Sequence, residues 1–375
     1  MSNGNHIWKI IRKLIQAKIR RTQRSHINKL LACAKVNEFY HRYPFNDFPP
    51  VMANYSFWRK SDTLWLDFFY SVYQKPDAGF ISVPVYDYIE TCLNHRMLTY
   101  AIKDKNFYNL FMNNYPTPKT LLRKINGLYY NQDYKMVDEN QVAALIGDMR
   151  KVLLKPSVES GGGGSILLFE RVKDDLINEG GKLNIVFLKG YQKDFVLQEY
   201  VIQHEFFSQF NPSSNNTIRV FVYRSITDDS INILHCLLRV GAKGSYLDHD
   251  HLGGVVMAVD DNNNLSTYAI DLYGKKYEAV NNITISSLGE VPFIDEIKKM
   301  AIQIAGEIYY GRLLALDFTV NSEGKVMLLE VNCWGNGISQ YQMHNGSLFR
   351  GFTKEILDYC NNCTTKVFVL QSKQH

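Results

Sequence analysis

Two alternating runs of apolar residues stand close together near the end of the chain. Leu316-Asp317-Phe318-Thr319-Val320 and Val326-Met327-Leu328-Leu329-Glu330-Val331-Asn332 flank Asn321-Ser322-Glu323-Gly324-Lys325. Alternation on both sides of an Asn/Gly turn predicts a β-hairpin. Upstream, residues 151–155, 166–169, 184–188, 195–200, 217–224, 231–240 and 255–259 read as further strands. Residues 293–310 read as a helix, with Ile294, Ile297, Ala301, Ile304 and Ile308 on one face and Gly311 suited to its C-cap. Residues 1–37 read as helical. Residues 40–100 read as helices and loops broken by prolines, and 101–115 as a helix that stops before Pro116. A mixed α/β chain of 375 residues is long enough for two or three lobes.

The hairpin also carries chemistry. Strand side chains alternate faces, so Glu330 and Asn332 point the same way. Asp317 falls roughly across from them, with Cβ atoms about 5 Å apart. Two carboxylates and an amide oxygen among apolar neighbours repel one another and are costly to desolvate. A hard cation removes both problems, and an all-oxygen set suits Mg²⁺ better than zinc. The bland alternative is the polar outer face of an ordinary hairpin.

A second feature lies between two of the strands. Lys155-Pro156-Ser157-Val158-Glu159-Ser160 leads into Gly161, Gly162, Gly163, Gly164 and Ser165. A glycine run permits left-handed backbone and lets N–H groups converge on anionic oxygens. Lys155 closes the preceding strand and can aim a charge at the same anion. The pattern is neither a Walker loop nor a dinucleotide fingerprint, and taken alone it equally describes a flexible hairpin tip. Lys105, in Asp104-Lys105-Asn106, is a second candidate lysine.

Charge changes the picture at the N-terminus. Residues 1–37 hold nine basic residues and no acid, leaving 33 basic against 37 acidic in the remainder. Trp8, Ile11, Ile15 and Ile19 recur at helical spacing. Such a segment either docks on an anionic membrane face or acidic polymer, or packs its stripe on the body. A nucleic-acid partner is disfavoured, because the basic residues are confined to this arm and aromatics are not interleaved there. No apolar run is long enough to span a membrane, and no signal-peptide pattern opens the chain. Six cysteines without a dense framework predict a reduced, cytoplasmic protein. The Cys360-Asn361-Asn362-Cys363 pair has no second CxxC to complete a zinc site.

The order of these parts is similar to that of the ATP-grasp superfamily. Lys105 comes first, then Lys155 with its glycine loop, Gln198-Glu199-Tyr200-Val201, Asp317 and Glu330-Val331-Asn332. Within the superfamily the chain most resembles the sugar-transfer-associated ATP-grasp proteins. The closer match rests on Lys155-Pro156-Ser157, Gln203-His204, Asn211-Pro212-Ser213-Ser214, Asn216-Thr217-Ile218-Arg219-Val220, and Asp248 followed by His251-Leu252-Gly253-Gly254. It covers about residues 80–350.

The resemblance implies an α/β ATP-grasp fold, two α/β lobes clasping ATP, with a helical N-terminal region. The expected boundaries are 1–80 for the basic helical region, 81–200 for the N-terminal part and nucleotide lobe, and 201–375 for the C-terminal lobe with the metal site. Lys105 and Lys155 would bind the ATP phosphates, with Ser160, Gly161, Gly162, Gly163, Gly164 and Ser165 as a mobile flap. Gln198, Glu199, Tyr200 and Val201 would line the adenine pocket, and Glu205, or His204 in its stead, would hold the ribose. Asp317, Glu330 and Asn332 would hold Mg²⁺. Arg219 or Arg239 would join Lys155 in stabilising the transition state. Asp248, His251, Gly253 and Gly254 would form a substrate loop with His249 and Asp250; His249 departs from the amide expected there. Cys333 points away from the ligands and reads as core.

The implied reaction is ATP-dependent joining of a carboxylate to an amine through an acylphosphate. The expected substrates are a small-molecule or lipid-linked sugar of capsule or lipopolysaccharide biosynthesis and an amine, handled in the cytoplasm or at the inner face of its membrane. Two rivals keep the fold: a kinase that phosphorylates a hydroxyl, and a non-catalytic nucleotide-binding module.

Overall fold

The computed structural model describes residues 2–44, 55, 63–158, 166–246 and 253–363, with side chains from residue 17 onward. The first helix, α1, runs Ser2–Val36. Ile27, Leu30, Leu31 and Ala34 recur every three or four residues and are buried. Ile27, Leu30 and Leu31 belong to a core shared with α2 (Thr63–Tyr73) and α3 (Val83–Leu93). Gln23 Nε2 donates to Asp87 on α3 at 2.6 Å. Of the basic arm's expected stripe, Ile19 is half-buried, and the side chains of Trp8, Ile11 and Ile15 lie outside the described ones. The packed stripe is a later one, further along the same helix.

Short turns follow: α4 (Arg96–Thr99), two 3-10 turns at Ala101–Lys103 and Lys105–Phe107, and α5 (Tyr108–Phe111). This corrects the single helix expected over 101–115. The Asp104 side chain accepts from Asn106 N at 2.9 Å and starts a new turn, so the helix never propagates.

The first sheet holds β1 (Thr120–Ile125), β2 (Leu128–Tyr130), β3 (Lys151–Pro156), β4 (Leu167–Val172), β5 (Asp175–Asn178), β6 (Gly181–Lys182) and β7 (Phe195–Glu199). Their order is β2-β1-β7-β3-β4-β5-β6, antiparallel throughout. Helices α6 (Val142–Ile146) and α7 (Ile185–Gly190) interrupt it. The second of these corrects the strand expected over 184–188. Its β-branched Ile185-Val186 suggests a strand, but Asn184 Oδ1 accepts from Phe187 N at 2.9 Å, an N-cap that starts a helix.

After α8 (Glu205–Ser208), the second sheet holds β8 (Thr217–Arg224), β9 (Ile231–Val240), β10 (Val255–Val259), β11 (Ala269–Ile270) and β12 (Lys276–Tyr277). A small hairpin, β13 (Ala279–Val280) with β14 (Ile283–Thr284), precedes α9 (Ile294–Glu307). The second sheet is completed by β15 (Leu313–Val320) and β16 (Val326–Asn332) in the order β12-β11-β10-β9-β8-β15-β16. The last described helices are α10 (Ser339–Asn345) and α11 (Thr353–Asn361).

One face of the second sheet packs on α9 through Ile218, Val220, Leu316 and Phe318 against Ile294, Ile297, Ala301 and Ile304. Each large apolar side chain so buried contributes about 1.5–3 kcal/mol. α9 ends at Glu307 with Ile308 as its cap, which corrects the expected cap at Gly311. Gly311 instead bridges to Asn94, where a Cβ would meet the Leu314 side chain at 2.9 Å. The opposite face packs at one end on α2, α3, α10 and α11 through Phe221, Tyr223, Leu237, Leu313 and Ala315. Helices α1 to α3 therefore share a core with the second sheet.

Candidate active site

The face of the second sheet that carries Phe221, Leu237 and Ala315 changes character within two residues on each strand. Phe221 gives way to Arg219 on β8, Leu237 to Arg239 on β9, and Ala315 to Asp317 on β15. Register makes these neighbours: Asp317 lies opposite Arg219 on one side and Glu330 on the other, while Ala315 lies opposite Asn332. The strand pleat puts Asp317, Glu330 and Asn332 on this one face. A register shift follows at once between Asp317 and Phe318.

Cations converge on the two carboxylates. Arg219 Nε and Nη2 each donate to Asp317 at 2.6 Å, a bidentate fork, and Arg239 Nη1 is 3.7 Å from Asp317 Oδ2. Asn332 Nδ2 donates to Asp317 Oδ2 at 3.3 Å. Lys105 Nζ donates to Glu330 Oε1 at 2.7 Å. Burial works to raise the Glu330 carboxyl, but the Lys105 charge and hydrogen bond, helped by Arg219, overcome it and hold it at about 2. Lys105 also ties the two sheets together, because its N–H donates to Ser157 O at 2.8 Å, just past β3.

The chain crosses between sheets through residues 200–216. His204 N donates to Val320 O at 3.0 Å and Ser322 N to Ile202 O at 2.8 Å. Gln203 is buried and bonds three times: Nε2 to Asn216 O at 2.6 Å and to Thr319 Oγ1 at 2.8 Å, while Oε1 accepts from Asn216 N at 2.9 Å. Asn211 Nδ2 donates to Ala242 O at 2.7 Å. These motif residues are a polar knot that fixes the crossing between the sheets. His204 serves as the N-cap of α8 and stands edge-on to Phe293 at 5.0 Å, while Glu205 beside it is exposed.

The remaining expected residues fall as follows. Lys155 is half-buried on β3 opposite Val196. Gln198 is buried on β7 and donates to Thr120 Oγ1 at 3.3 Å. Glu199 accepts from Lys119 N at 2.9 Å, and the Tyr200 hydroxyl donates to Ser213 O at 3.0 Å. Val201 is buried. Gly253 adopts φ +88° and Gly254 is buried before β10. Ser160 to Ser165, with Gly161 to Gly164 between them, and Asp248, His249, Asp250 and His251 lie outside the described residues. Tyr246 OH donates to Ile166 O at 2.8 Å, so the segments leading into those two stretches touch. Cys333 is buried in the α9-side core.

Several supporting groups have no signal in local spacing, because the strand and loop they hold are more than 200 residues away. Asn94, at the C-cap of α3, bonds Leu313 O, Cys333 O, Arg312 N and Leu313 N at 2.6–2.9 Å. Glu90, buried on α3, accepts from Gly335 N at 2.9 Å, Asn336 N at 3.3 Å and the Tyr86 hydroxyl at 3.0 Å. Burial pushes its carboxyl up. The Tyr108 hydroxyl accepts from Val331 N at 2.8 Å. Together they hold the strand that carries Glu330 and Asn332.

The donor set fits a hard cation: carboxylate and amide oxygens on one face, ringed by bases that suit phosphate. Among the described residues no three His, Cys, Asp or Glu converge as a metal group. A cation held here would rest on Asp317, Glu330 and Asn332, with the rest of its shell from outside the protein.

The sugar-transfer associated ATP-grasp family matches residues 86–357. The chain belongs to this family. Its fold is the ATP-grasp fold. No curated protein sequence matches this ATP-grasp chain. Among solved structures it is similar to the ATP-grasp ligase PsnB in complex with a minimal precursor, Mg and ADP, at 13% identity and TM-score 0.41, covering 72% of this chain and 62% of that one. It is also similar to N5-carboxyaminoimidazole synthetase from Staphylococcus aureus, at 10% identity and TM-score 0.42, covering 72% and 54%. A third likeness is the biotin carboxylase domain of 2-oxoglutarate carboxylase from Hydrogenobacter thermophilus, at 14% identity and TM-score 0.43, covering 72% and 48%. This ATP-grasp chain thus spans less than two thirds of the length of these three chains.

Proposed function

We propose that this protein is an ATP-dependent ligase that joins a carboxylate to an amine, one of them on a sugar. ATP and Mg²⁺ are the cofactors. The observation that supports this reading is the polar end of the second sheet's face in a chain of this family: Asp317, Glu330 and Asn332 beside Lys105, Arg219 and Arg239. Mg²⁺, when bound, neutralises phosphate charge, and Asp317, Glu330 and Asn332 are the residues to hold it.

The protein's own groups position and neutralise. Lys105 and Lys155 bind phosphate oxygens. Arg219, released from its fork with Asp317, or Arg239 beside it, stabilises charge on the transferring group. Gln198 to Val201 receive the base and Glu205 the ribose. The substrate carboxylate takes the terminal phosphoryl group, giving an acylphosphate and ADP; the amine then displaces phosphate to leave the amide. Asp248, His251, Gly253 and Gly254 contact the acceptor. Residues 1–37 bring the enzyme to lipid-linked sugars at the inner face of the cytoplasmic membrane, with Lys18, Arg20, Arg21, Arg24, Lys29 and Lys35 exposed on α1.

The test is ATP consumption with paired uronic acids and amino acids. The expected result is ADP and free phosphate in equal amounts, only with both substrates, and a hydroxamate when hydroxylamine replaces the amine. A stable phosphorylated sugar without free phosphate would establish a kinase instead.

A further inference from the structure

The Cys360-Asn361-Asn362-Cys363 pair sits at the end of α11, and the fold brings a third cysteine to it. α11 and α3 contribute to the same core. Cys92, near the end of α3, lies beside Cys360, Cys363 and Tyr88. The Tyr88 hydroxyl donates to Cys360 O at 3.1 Å and pins the two helices at this spot. None of the three cysteines is in a disulfide; Cys360 is buried, while Cys92 and Cys363 are half-buried. No three His, Cys, Asp or Glu among the described residues are arranged to hold a metal.

The other described cysteines behave differently. Burial pushes the Cys236 and Cys333 thiols up to about 12, which makes them inert. The Cys92 thiol is drawn the other way, to about 7, by hydrogen bonds from Cys360 first and then Cys363 and Tyr88, with burial opposing. A thiolate of that kind is the more reactive toward oxidants.

We propose that Cys92 and the Cys360/Cys363 pair form a reversible thiol–disulfide site that takes a peroxide as oxidant and bolts α3 to α11. The Cys92 thiolate attacks one peroxide oxygen; the O–O bond breaks, leaving Cys92 sulfenic acid and, after protonation, water. The Cys360 thiol, or Cys363 in its place, attacks the sulfenic sulfur; the S–S bond forms and the S–O bond breaks, releasing a second water. Two thiols lose two electrons in all, and the peroxide is reduced to two waters. α3 is the helix whose Glu90 and Asn94 hold the loop and strand ends at the ligand hairpin, so the oxidant acts on the element that supports the candidate active site.

The experiment treats the full-length protein with hydrogen peroxide, blocks remaining thiols by alkylation and maps peptides by mass spectrometry. The expected product is a Cys92 peptide linked to the Cys360/Cys363 peptide, reversed by dithiothreitol, with a higher melting temperature than the reduced form. Cys92→Ser should abolish it and Cys33→Ser should leave it. Thermal melts of the reduced variants identify any that fail to fold; for these, the rate of Cys92 alkylation in the unmutated protein is the second measure and should exceed that of Cys33. Peroxide that leaves Cys92 unlinked, or a Cys92 alkylated no faster than Cys33, overturns the proposal, as does zinc retained stoichiometrically by the cluster.

Discussion

The Lys105–Glu330 pair is the most exacting test of the site. The Glu330 carboxyl has an ordinary value of 4.5 and is held at about 2. The difference of about 2.5 on the pH scale corresponds to about 3 kcal/mol at 1.36 kcal/mol per pH unit. Arg219 supplies part of it, and the Glu330 side chain is 27% exposed, so solvent screens another part. A coupling of about 2 kcal/mol between Lys105 and Glu330 is expected. The sign follows from a depressed carboxylate: the stabilisation is present above pH 4.5 and is lost as pH falls toward about 2. The assay is a double-mutant cycle of Lys105→Met, Glu330→Gln and the pair, by urea unfolding at pH 7 in EDTA. Lys105→Met alone should cost at least the coupling, about 2 kcal/mol or more, because it leaves the half-buried Glu330 carboxylate without its partner. A coupling below about 0.5 kcal/mol would refute the reasoning, since the ion pair would then do no more than an exposed one.

The other predictions concern different parts of the molecule. Glu330→Ala, Asp317→Ala and Asn332→Ala should each abolish ATP turnover with the fold intact by circular dichroism; near-normal turnover of Glu330→Ala in Mg²⁺ would rule out the metal assignment. His235 and His344 are both buried and neutral, held down to about 4 chiefly by burial. The unfolded chain takes up their protons first, so urea stability should fall as pH drops from about 6.5 toward 4, by up to about 3 kcal/mol for each; a flat profile over that window contradicts their burial. Removing residues 1–16 should weaken binding to anionic vesicles at low salt while leaving the melting temperature unchanged. Ile27 and Leu30 are part of the core, so a cut beyond them tests folding instead.

Strands β8, β9, β10, β15 and β16 were legible as long apolar runs, and the hairpin placed Asp317 against Glu330 by register alone; the two-residue strands β11 and β12 were too short to read. The elements that went astray were decided by single polar caps: Asn184 turned Ile185-Val186 into a helix, and Asp104 broke 101–115 into turns. Periodicity cannot weigh one hydrogen bond against a run of propensities. Arg219 and Arg239 were visible as candidates, but their shared target, Asp317, follows only from strand order. Glu90 and Asn94 were illegible as supports, since a residue that bonds a strand or loop more than 200 positions later leaves no local trace; Gln203 and Asn216 were visible as motif residues, but their mutual bonds were not. The Cys92 cluster hid in the same way behind a lone CxxC.

The abrupt change from core to polar groups along β8, β9 and β15 makes the ligand face stiff. Arg219, Arg239, Asp317 and Glu330 are carried by adjacent strands whose other residues are locked in the core, so none can travel far without unzipping a ladder. Lys105 is different, because its backbone is fastened to Ser157 of the first sheet while its ammonium grips Glu330 of the second. Any opening of the two sheets about residues 200–204 must pull that ammonium away. The lysine thus works as an electrical contact between two plates, closed when the sheets are together and broken when they part. In the proposed ligase, the charge on Glu330 would then be free for Mg²⁺.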